Sequence, residues 1–250
     1  MLDDNILQAV KEGKRITMKS FLLREQGEEK LEVIVTKMFD HLGKSDYFGP
    51  VYAAIRELVQ NSSKANLKRI LFNEMNLNPL DEIDYSKGME VFRRSIVESK
   101  ISSYRKRIRD NDLFFTVSME CRPEVFIASV KNRFPLFPAE EIRIRDKFSH
   151  AKNIDNLYDF YMNYGDIAEG AGMGIAMVEI LLGQAGIDRH NFTIFTDPVK
   201  NETVARVIVP FSPEYISPRQ RFEIEREKRG LDHDAMRTLV RCGQVALPLY

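Results

Sequence analysis

The sequence predicts an α+β fold, a two-layer sandwich in which helices cover one face of a mixed or antiparallel sheet. Leu113–Glu120 and Glu124–Asn132 are rich in β-branched and aromatic residues and are separated by Cys-Arg-Pro, which predicts an antiparallel hairpin. A second hairpin is predicted within Asn191–Phe211, around Asp197-Pro198. The order of helix, hairpin, connecting segment, helix and hairpin is typical of a helix layer packed on a sheet.

The remaining elements follow from the spacing of apolar residues and from turn residues. Ile55, Leu58 and Val59 recur at helical spacing within Val51–Leu71, which predicts an amphipathic helix facing a core. Before and after this helix the sequence predicts a strand at Ile16–Leu23, a helix after Gly27, turns over Asn73–Gly88 and a basic helix at Met89–Arg109. Further along the chain it predicts a weakly helical charged segment at Ala139–Tyr161, an apolar helix closed by Gly183 or Gly186, and a helical tail containing Arg219–Arg229.

Composition argues against several classes of protein. Lys plus Arg and Asp plus Glu both total 37, so no global field favours nucleic acid or an anionic membrane. No segment approaches the ~20 apolar residues of a membrane span, and the N-terminus lacks the apolar region of a signal peptide. We therefore expect a cytoplasmic protein. Cys121 and Cys242 lie far apart without the spacing of metal ligands, which argues against a zinc site.

One face of the predicted helix at Val51–Leu71 carries polar residues with a useful spacing. In RELVQNSSKAN, Glu57, Asn61 and Lys64 lie four and seven residues along the chain and share one helical face. A carboxylate can orient or deprotonate a water, and an amide oxygen is a ligand suited to Mg²⁺. A lysine one turn further can meet a phosphate. On spacing alone, solvent-exposed polar residues are the competing interpretation.

A glycine-rich segment precedes the second apolar helix. Gly170, Gly172 and Gly174 stand directly before it in EGAGMGIAMV. Glycines let the backbone approach a phosphate, and the N-terminus of a helix supplies unpaired N–H donors. The segment is neither a P-loop, since no Gly-Lys-Ser/Thr follows, nor a clear Rossmann motif, which should directly follow a predicted strand. A flexible hinge is the alternative.

Together the two motifs resemble those of the GHKL superfamily of histidine-kinase-like ATPases. Glu57-Leu58-x-x-Asn61-x-x-Lys64-Ala65 resembles its N box, and the resemblance covers Tyr52–Phe211. It implies Mg²⁺ and ATP as ligands, with Asn61 holding the metal, Lys64 contacting phosphate and a catalytic Glu57 orienting a water or a phospho-acceptor. The residues that resemble the second glycine box, and that would close over the phosphates, are Gly170, Gly172, Met173 and Gly174.

The first glycine box of the family is eroded in this sequence. The matching stretch, Val130–Leu136, contains neither Asp nor Gly, and the alignment puts Asn132 where the family has its adenine-binding Asp. Phe134 and Leu136 stand where the flexible glycines should be. Asn132 can accept from the amine of adenine, donate to the O6 of guanine, or cap a turn. The base, adenine or guanine, therefore stays open.

The segment from Phe137 to Glu169 occupies the place of the family's ATP lid. Its run Glu141–Phe148 resembles the lid motif that ends in Phe, which implies that Arg145 or Lys147 reaches the phosphates when the lid closes; solvated charges are the alternative. Three tyrosines in the lid can stack on a base or pack against the sheet, Tyr158, Tyr161 and Tyr164. The basic run Ser103–Arg109 can likewise contact phosphates or form a solvated helix face.

We expect three parts in the chain: residues 1–51 as an N-terminal strand and helix packed on the core, 52–211 as the ATPase-like domain with its lid at about 137–169, and 212–250 as a helical appendage. The resemblance implies a bacterial signalling protein that works through a protein partner, and the flanks are natural places for a homodimer. His41 lacks the downstream proline of a phospho-acceptor box, so any ATPase or kinase activity would act on a separate partner. The competing hypothesis is a non-catalytic module that binds a guanine nucleotide, a cyclic dinucleotide or a protein.

Overall fold

A computed structural model describes residues 2–97, 101–151, 158, 162, 173–197 and 199–245. The predicted α+β class is confirmed. The elements in these residues are, in chain order, α1 (Leu2–Lys11), β1 (Ile16–Ser20), α2 (Glu25–Leu42), α3 (Phe48–Glu74), α4 (Glu82–Val97), α5 (Ile101–Asp110), β2 (Phe115–Arg122), β3 (Val125–Asn132), α6 (Pro138–Ala151), α7 (Met173–Gln184), β4 (Phe192–Asp197), β5 (Glu202–Pro210), α8 (Pro218–Arg229) and α9 (His233–Arg241).

The described strands form one five-stranded sheet in the order β1-β2-β3-β5-β4, and each neighbouring pair is antiparallel. Both predicted hairpins are confirmed, as β2–β3 and β4–β5. The pairing of β3 with β5 sets Asn132 opposite Thr203. The end of β3 therefore lies beside the start of β5, and both are inner strands of the sheet. The candidate site lies at these strand ends.

The main core lies between one face of the sheet and helices α1, α2, α3 and α7. Phe126, Ala128 and Val130 alternate along β3 and belong to the same buried cluster as Leu58 of α3 and Val178 of α7. The intervening residues of β3 form a smaller cluster on the opposite face, where Tyr215 packs against Val125, Ile127 and Ile208. This alternation fixes which strand residues face the helices and the site.

Helix α4 corrects the expectation of turns over Asn73–Gly88, because it already begins at Glu82. The carboxylate of Asp81 accepts hydrogen bonds from the N–H groups of Ile83 and Asp84, as an N-cap residue does. Gly88 is helical for a packing reason, since a methyl group at this position would overlap the ring of Phe72. The predicted basic helix at Met89–Arg109 is divided between α4 and α5.

Helix α1, near the start of the chain, was not predicted from the sequence. Ile6 and Val10 of α1 are buried in the main core. Gly186, with a φ of 73°, is the glycine that follows the end of α7, and the N–H of Ile187 then bonds back to the carbonyl of Leu182. The predicted helical tail is confirmed as α8, and α9 follows it. None of the helices in the described ranges is long and apolar enough to cross a membrane.

Candidate functional site

The two sequence motifs meet where α3 contacts the start of α7. Glu57 lies on α3, Gly174 lies in the first turn of α7, and the two helices pack closely. A methyl group built on Gly174 would overlap the carboxylate of Glu57. Glycine therefore allows the backbone of α7 to approach this carboxylate in a way that no other residue type would without movement.

The carboxyl of Glu57 is in an unusual electrostatic environment. Burial raises its pKa above the ordinary value, while the ammonium of Lys64, a hydrogen bond with Asn61 and the charge of Arg56 partly oppose this shift. A carboxylate with a raised pKa is a better proton acceptor near neutral pH. The side chain has partners on its own helix that keep it oriented beside α7.

A cavity of about 450 Å³ lies beside this contact, between α3, α6 and the sheet. A volume of this size is typical of small-molecule sites. Its polar lining from α3 consists of Glu57, Asn61, Ser62, Lys64 and Lys68. Its apolar lining includes Leu58, Val130, Ile175, Met177, Ile194 and Ala205. The cavity thus combines an apolar wall with cations and carboxylates.

Asn132 lies at the end of β3, is buried and lines the same cavity. Its side-chain nitrogen donates to the carbonyl of Ser62 at 3.1 Å and to Oδ1 of Asn66 at 2.8 Å. Both partners belong to α3. The side-chain nitrogen of Asn132 thus joins the sheet to α3, and these two bonds do not form the turn cap that was one of the alternatives from the sequence.

The loop after β3 is held by packing. Phe134 and Leu136 line the cavity. The guanidinium of Arg69 lies 3.2 Å from the ring centroid of Phe137 and 4.6 Å from that of Phe134, and it donates to the carbonyl of Pro135. Burial lowers the pKa of Arg69 to about 10, although nearby Glu140 opposes this shift. Arg69 thus contacts three residues of this loop.

The first turn of α6 is anchored to α3 through Glu140. Its carboxylate lies 2.5 Å from Nζ of Lys68 and 3.6 Å from the guanidinium of Arg69, and it accepts from the N–H of Phe137 at 2.9 Å. Burial raises the pKa of Glu140, but the two cations and these hydrogen bonds outweigh burial, so the net shift is downward. This carboxylate therefore stays ionised and compensates two partly buried cations.

Helix α6 distributes its cations differently from the sequence prediction. Lys147 lines the cavity, whereas the side chain of Arg145 is 75% exposed and pairs with Glu141. Arg143 also lines the cavity, 4.9 Å from the ring centroid of Tyr85, and sequence reasoning missed it. Arg143 and Lys147 are one helical turn apart, so treating this segment as a helix with one inward face would have identified the pair.

Several predicted residues cannot be assigned a position in the site. Gly170, Gly172, Tyr161 and Tyr164 lie outside the described residues, and Met173 is the first residue of α7. Tyr158 is 72% exposed.

The basic run Ser103–Arg109 belongs to α5, where Arg107 pairs with Glu74 at 2.7 Å. The cavity lining found in the described chain includes no residue of this run.

A metal in this cavity would need ligands from a bound molecule. The described residues contain no group of three or more His, Cys, Asp or Glu side chains that could hold a metal ion. Mg²⁺ commonly takes only one or two protein oxygens and completes its shell with water and substrate phosphates. Asn61 and Glu57, which are hydrogen-bonded to each other on one helical face, fit this mode of binding.

Comparison with known proteins leaves the function to be argued from this geometry. No family model matches the chain, and no solved structure matches it. The chain is similar to an uncharacterized protein of Treponema pallidum (strain Nichols), with 26% identity over 207 residues. The match covers 83% of this chain and 40% of that relative, so the chain spans less than half of the relative's length.

Proposed function

We propose that the chain is a nucleotide-binding signalling module of the histidine-kinase-like ATPase type, which binds Mg-ATP in the cavity between α3, α6 and the sheet. The observation that carries this proposal is the contact of Glu57 with Gly174. It joins the two motifs that resemble the family, at the edge of a cavity of suitable size. Neither motif alone is specific, but their meeting in space supports a common site.

Each side chain has a role in this proposal. Asn61 holds Mg²⁺, which neutralises phosphate charge when it is bound, and Lys64, Arg143 and Lys147 surround the phosphates. Glu57 orients a water or the hydroxyl or imidazole of a partner, and its raised pKa suits it to accept a proton. The apolar wall receives the base. We propose that activity is directed at a partner protein, because the exposed His41 at the end of α2 has no phospho-acceptor motif.

Isothermal titration calorimetry of the full chain with ATP and Mg²⁺ tests the binding. We expect saturable binding that weakens when Mg²⁺ is omitted. Absence of heat and of any thermal shift with a well-folded sample would contradict the proposal, since a ligand at about 100 times its dissociation constant adds about 2.7 kcal/mol to stability.

Two arginines of α6 provide a matched test of where the phosphates lie. Arg143→Ala removes a cation from the cavity lining, so we expect ATP affinity to fall about tenfold, with a smaller loss for ADP and least for adenosine. Arg145→Ala removes the same charge from an exposed position of the same helix and should leave all three affinities within about twofold. Equal effects of the two substitutions would argue against phosphates at this wall.

A second candidate is a non-catalytic module that binds a guanine nucleotide, a cyclic dinucleotide or a protein. The loop after β3 favours it, because Phe134 and Leu136 take up space at the cavity and Arg69 holds the loop in place. A thermal-shift panel of ATP, GTP and cyclic dinucleotides distinguishes the candidates. A shift with GTP or a cyclic dinucleotide, and none with ATP, would favour this second candidate.

A further inference from the structure

Asn66 connects the candidate site to three strand ends. It is fully buried on α3, and its side-chain nitrogen donates to the carbonyl of Phe21 at 2.9 Å and to that of Leu113 at 2.8 Å. These residues follow β1 and precede β2. Its side-chain oxygen accepts from Asn132, the last residue of β3. The cavity-lining amide of Asn132 is therefore attached to a second, deeper amide.

The chemistry of these partners fixes which way each amide points. A backbone carbonyl can only accept, so the NH₂ group of Asn66 must face the carbonyls of Phe21 and Leu113. Oδ1 of Asn66 is then the atom that faces Asn132, and Asn132 must present its own NH₂ to it. The second donor of Asn132 is used by the carbonyl of Ser62. Turning the Asn132 amide over would set its oxygen against two acceptors.

We infer that Asn66 is a positioning residue that holds the Asn132 amide with its oxygen available to the ligand, and so makes the site selective for purines with an amine at the 6 position. This inference rests on the proposed nucleotide site. Adenine offers an N6 amine to such an acceptor, whereas hypoxanthine presents an oxygen at the same position. The donation to guanine O6 that the sequence left open needs the NH₂ group that Asn66 and Ser62 already use.

The arrangement also explains why an amide stands where the resembled family has Asp. An ionised carboxylate at position 132 would face the carbonyl of Ser62 and Oδ1 of Asn66, which are both acceptors at hydrogen-bond distance. Burial would make this repulsion costly. With Asn66 in place, an amide at position 132 satisfies the protein side and still offers an acceptor to a ligand.

The test is the ratio of affinities for ATP and inosine triphosphate, measured by calorimetry on the full chain. We expect the wild type to prefer ATP about 10- to 100-fold, since a buried acceptor left facing another acceptor costs roughly that much. Asn66→Ala removes the acceptor that holds the NH₂ of Asn132, so the ratio should fall toward one.

Ser63→Ala is the matched structural control. Ser63 is buried on the same helix, and its hydroxyl accepts from the N–H of Leu23 at 2.8 Å, so it also ties α3 to the end of β1. Loss of this hydroxyl should lower the free energy of unfolding and leave the ratio of affinities for ATP and inosine triphosphate unchanged. An unchanged ratio in Asn66→Ala, or a lost preference in Ser63→Ala, overturns the inference.

A second measurement is independent of these variants. The side-chain NH₂ protons of Asn132, observed by NMR in the asparagine-labelled wild type, should exchange slowly with solvent because both are bonded inside the protein. Fast exchange overturns the inference even if ATP binds. A folded wild type that binds neither triphosphate overturns the proposed function, and the selectivity inferred here falls with it.

Discussion

Gly174 is the residue on which the contact between α3 and α7 depends. In Gly174→Ala the new methyl group overlaps the carboxylate of Glu57, so the side chain or the helix must move. Such a shift would disturb the hydrogen bond between Glu57 and Asn61, the proposed Mg²⁺ ligand, and we expect ATP affinity to fall about tenfold in calorimetry.

Gly183 provides the control within α7, because a methyl group there meets nothing within 4 Å. Gly183→Ala should keep the affinity and raise the free energy of unfolding by about 0.5–1 kcal/mol through helix propensity. Wild-type ATP affinity in Gly174→Ala would show that the close approach has no part in binding.

Glu57→Gln tests two properties of this carboxyl separately: its effect on the free energy of unfolding and its proposed role in catalysis. Burial raises the folded-state pKa above the ordinary 4.5, so the folded protein binds the proton more tightly than the unfolded chain. The free energy of unfolding therefore falls as pH rises from about 4.5 through the folded pKa, and the effect is absent at lower pH. Glutamine carries no charge, so the variant should be more stable than wild type at pH 7 and should differ little at pH 4.

Thermal unfolding between pH 4 and pH 8 measures this difference. Any ATP hydrolysis should be lost in the Glu57→Gln variant. If the variant remains folded and stable, the lost hydrolysis comes from the missing carboxylate and not from unfolding. A variant that is less stable than wild type at pH 7 would contradict the assignment of burial as the dominant effect.

At the scale of elements, the first turn of α6 is attached to α3 through one carboxylate. Glu140→Ala leaves the cations of Lys68 and Arg69, whose side chains are 14% and 11% exposed, without their shared partner. Removing one partner of a buried ion pair lowers the free energy of unfolding by about 3–5 kcal/mol, which urea denaturation should detect. Glu141→Ala breaks an exposed pair on the next residue and should change stability by at most about 0.5 kcal/mol. Similar losses in both variants would contradict the anchoring role of Glu140.

Local patterns account for the elements that the sequence predicted well. The two hairpins and α3 have strong periodicity or clear turn residues, so short-range information was sufficient. Helix α4 was missed because Gly88 is read as a breaker, whereas here it is required by the ring of Phe72, which is distant in the sequence. Helical propensity is a weak guide where tertiary packing selects a glycine.

Only part of the candidate site could be predicted from the sequence. Spacing within one helix identified Glu57, Asn61 and Lys64, which all line the cavity, although their roles remain predictions. The roles of Asn66 and Arg69 depend on contacts with backbone carbonyl groups of distant segments. No sequence pattern predicts such contacts. Arg143 and Arg145 differ only in which side of α6 they occupy, which requires knowing that the segment is helical.

At the scale of the whole molecule, the residues before Tyr52 belong to the same core as the candidate site. Met38 and Phe39 of α2 are completely buried, and the ring of Phe39 lies 4.9 Å from that of Phe126 on β3. Strand β1 forms one edge of the sheet.

A chain that begins at Tyr52 would lack β1, α1 and α2, so we expect it to have no cooperative unfolding transition in urea, in contrast to the full chain. Circular dichroism during the titration measures this. A transition with an unchanged midpoint would show that residues 52–250 form an independent unit.

The contact between Glu57 and Gly174 also constrains how such a sequence can change over time. A side chain at position 174 requires either that the Glu57 carboxylate turn away from α7 or that position 57 carry a shorter residue, because the two occupy the same volume. Substitutions at these positions should therefore be found together in related sequences. A lineage that replaces glycine at 174 must therefore move or lose the carboxylate at 57, and either change alters the proposed chemistry.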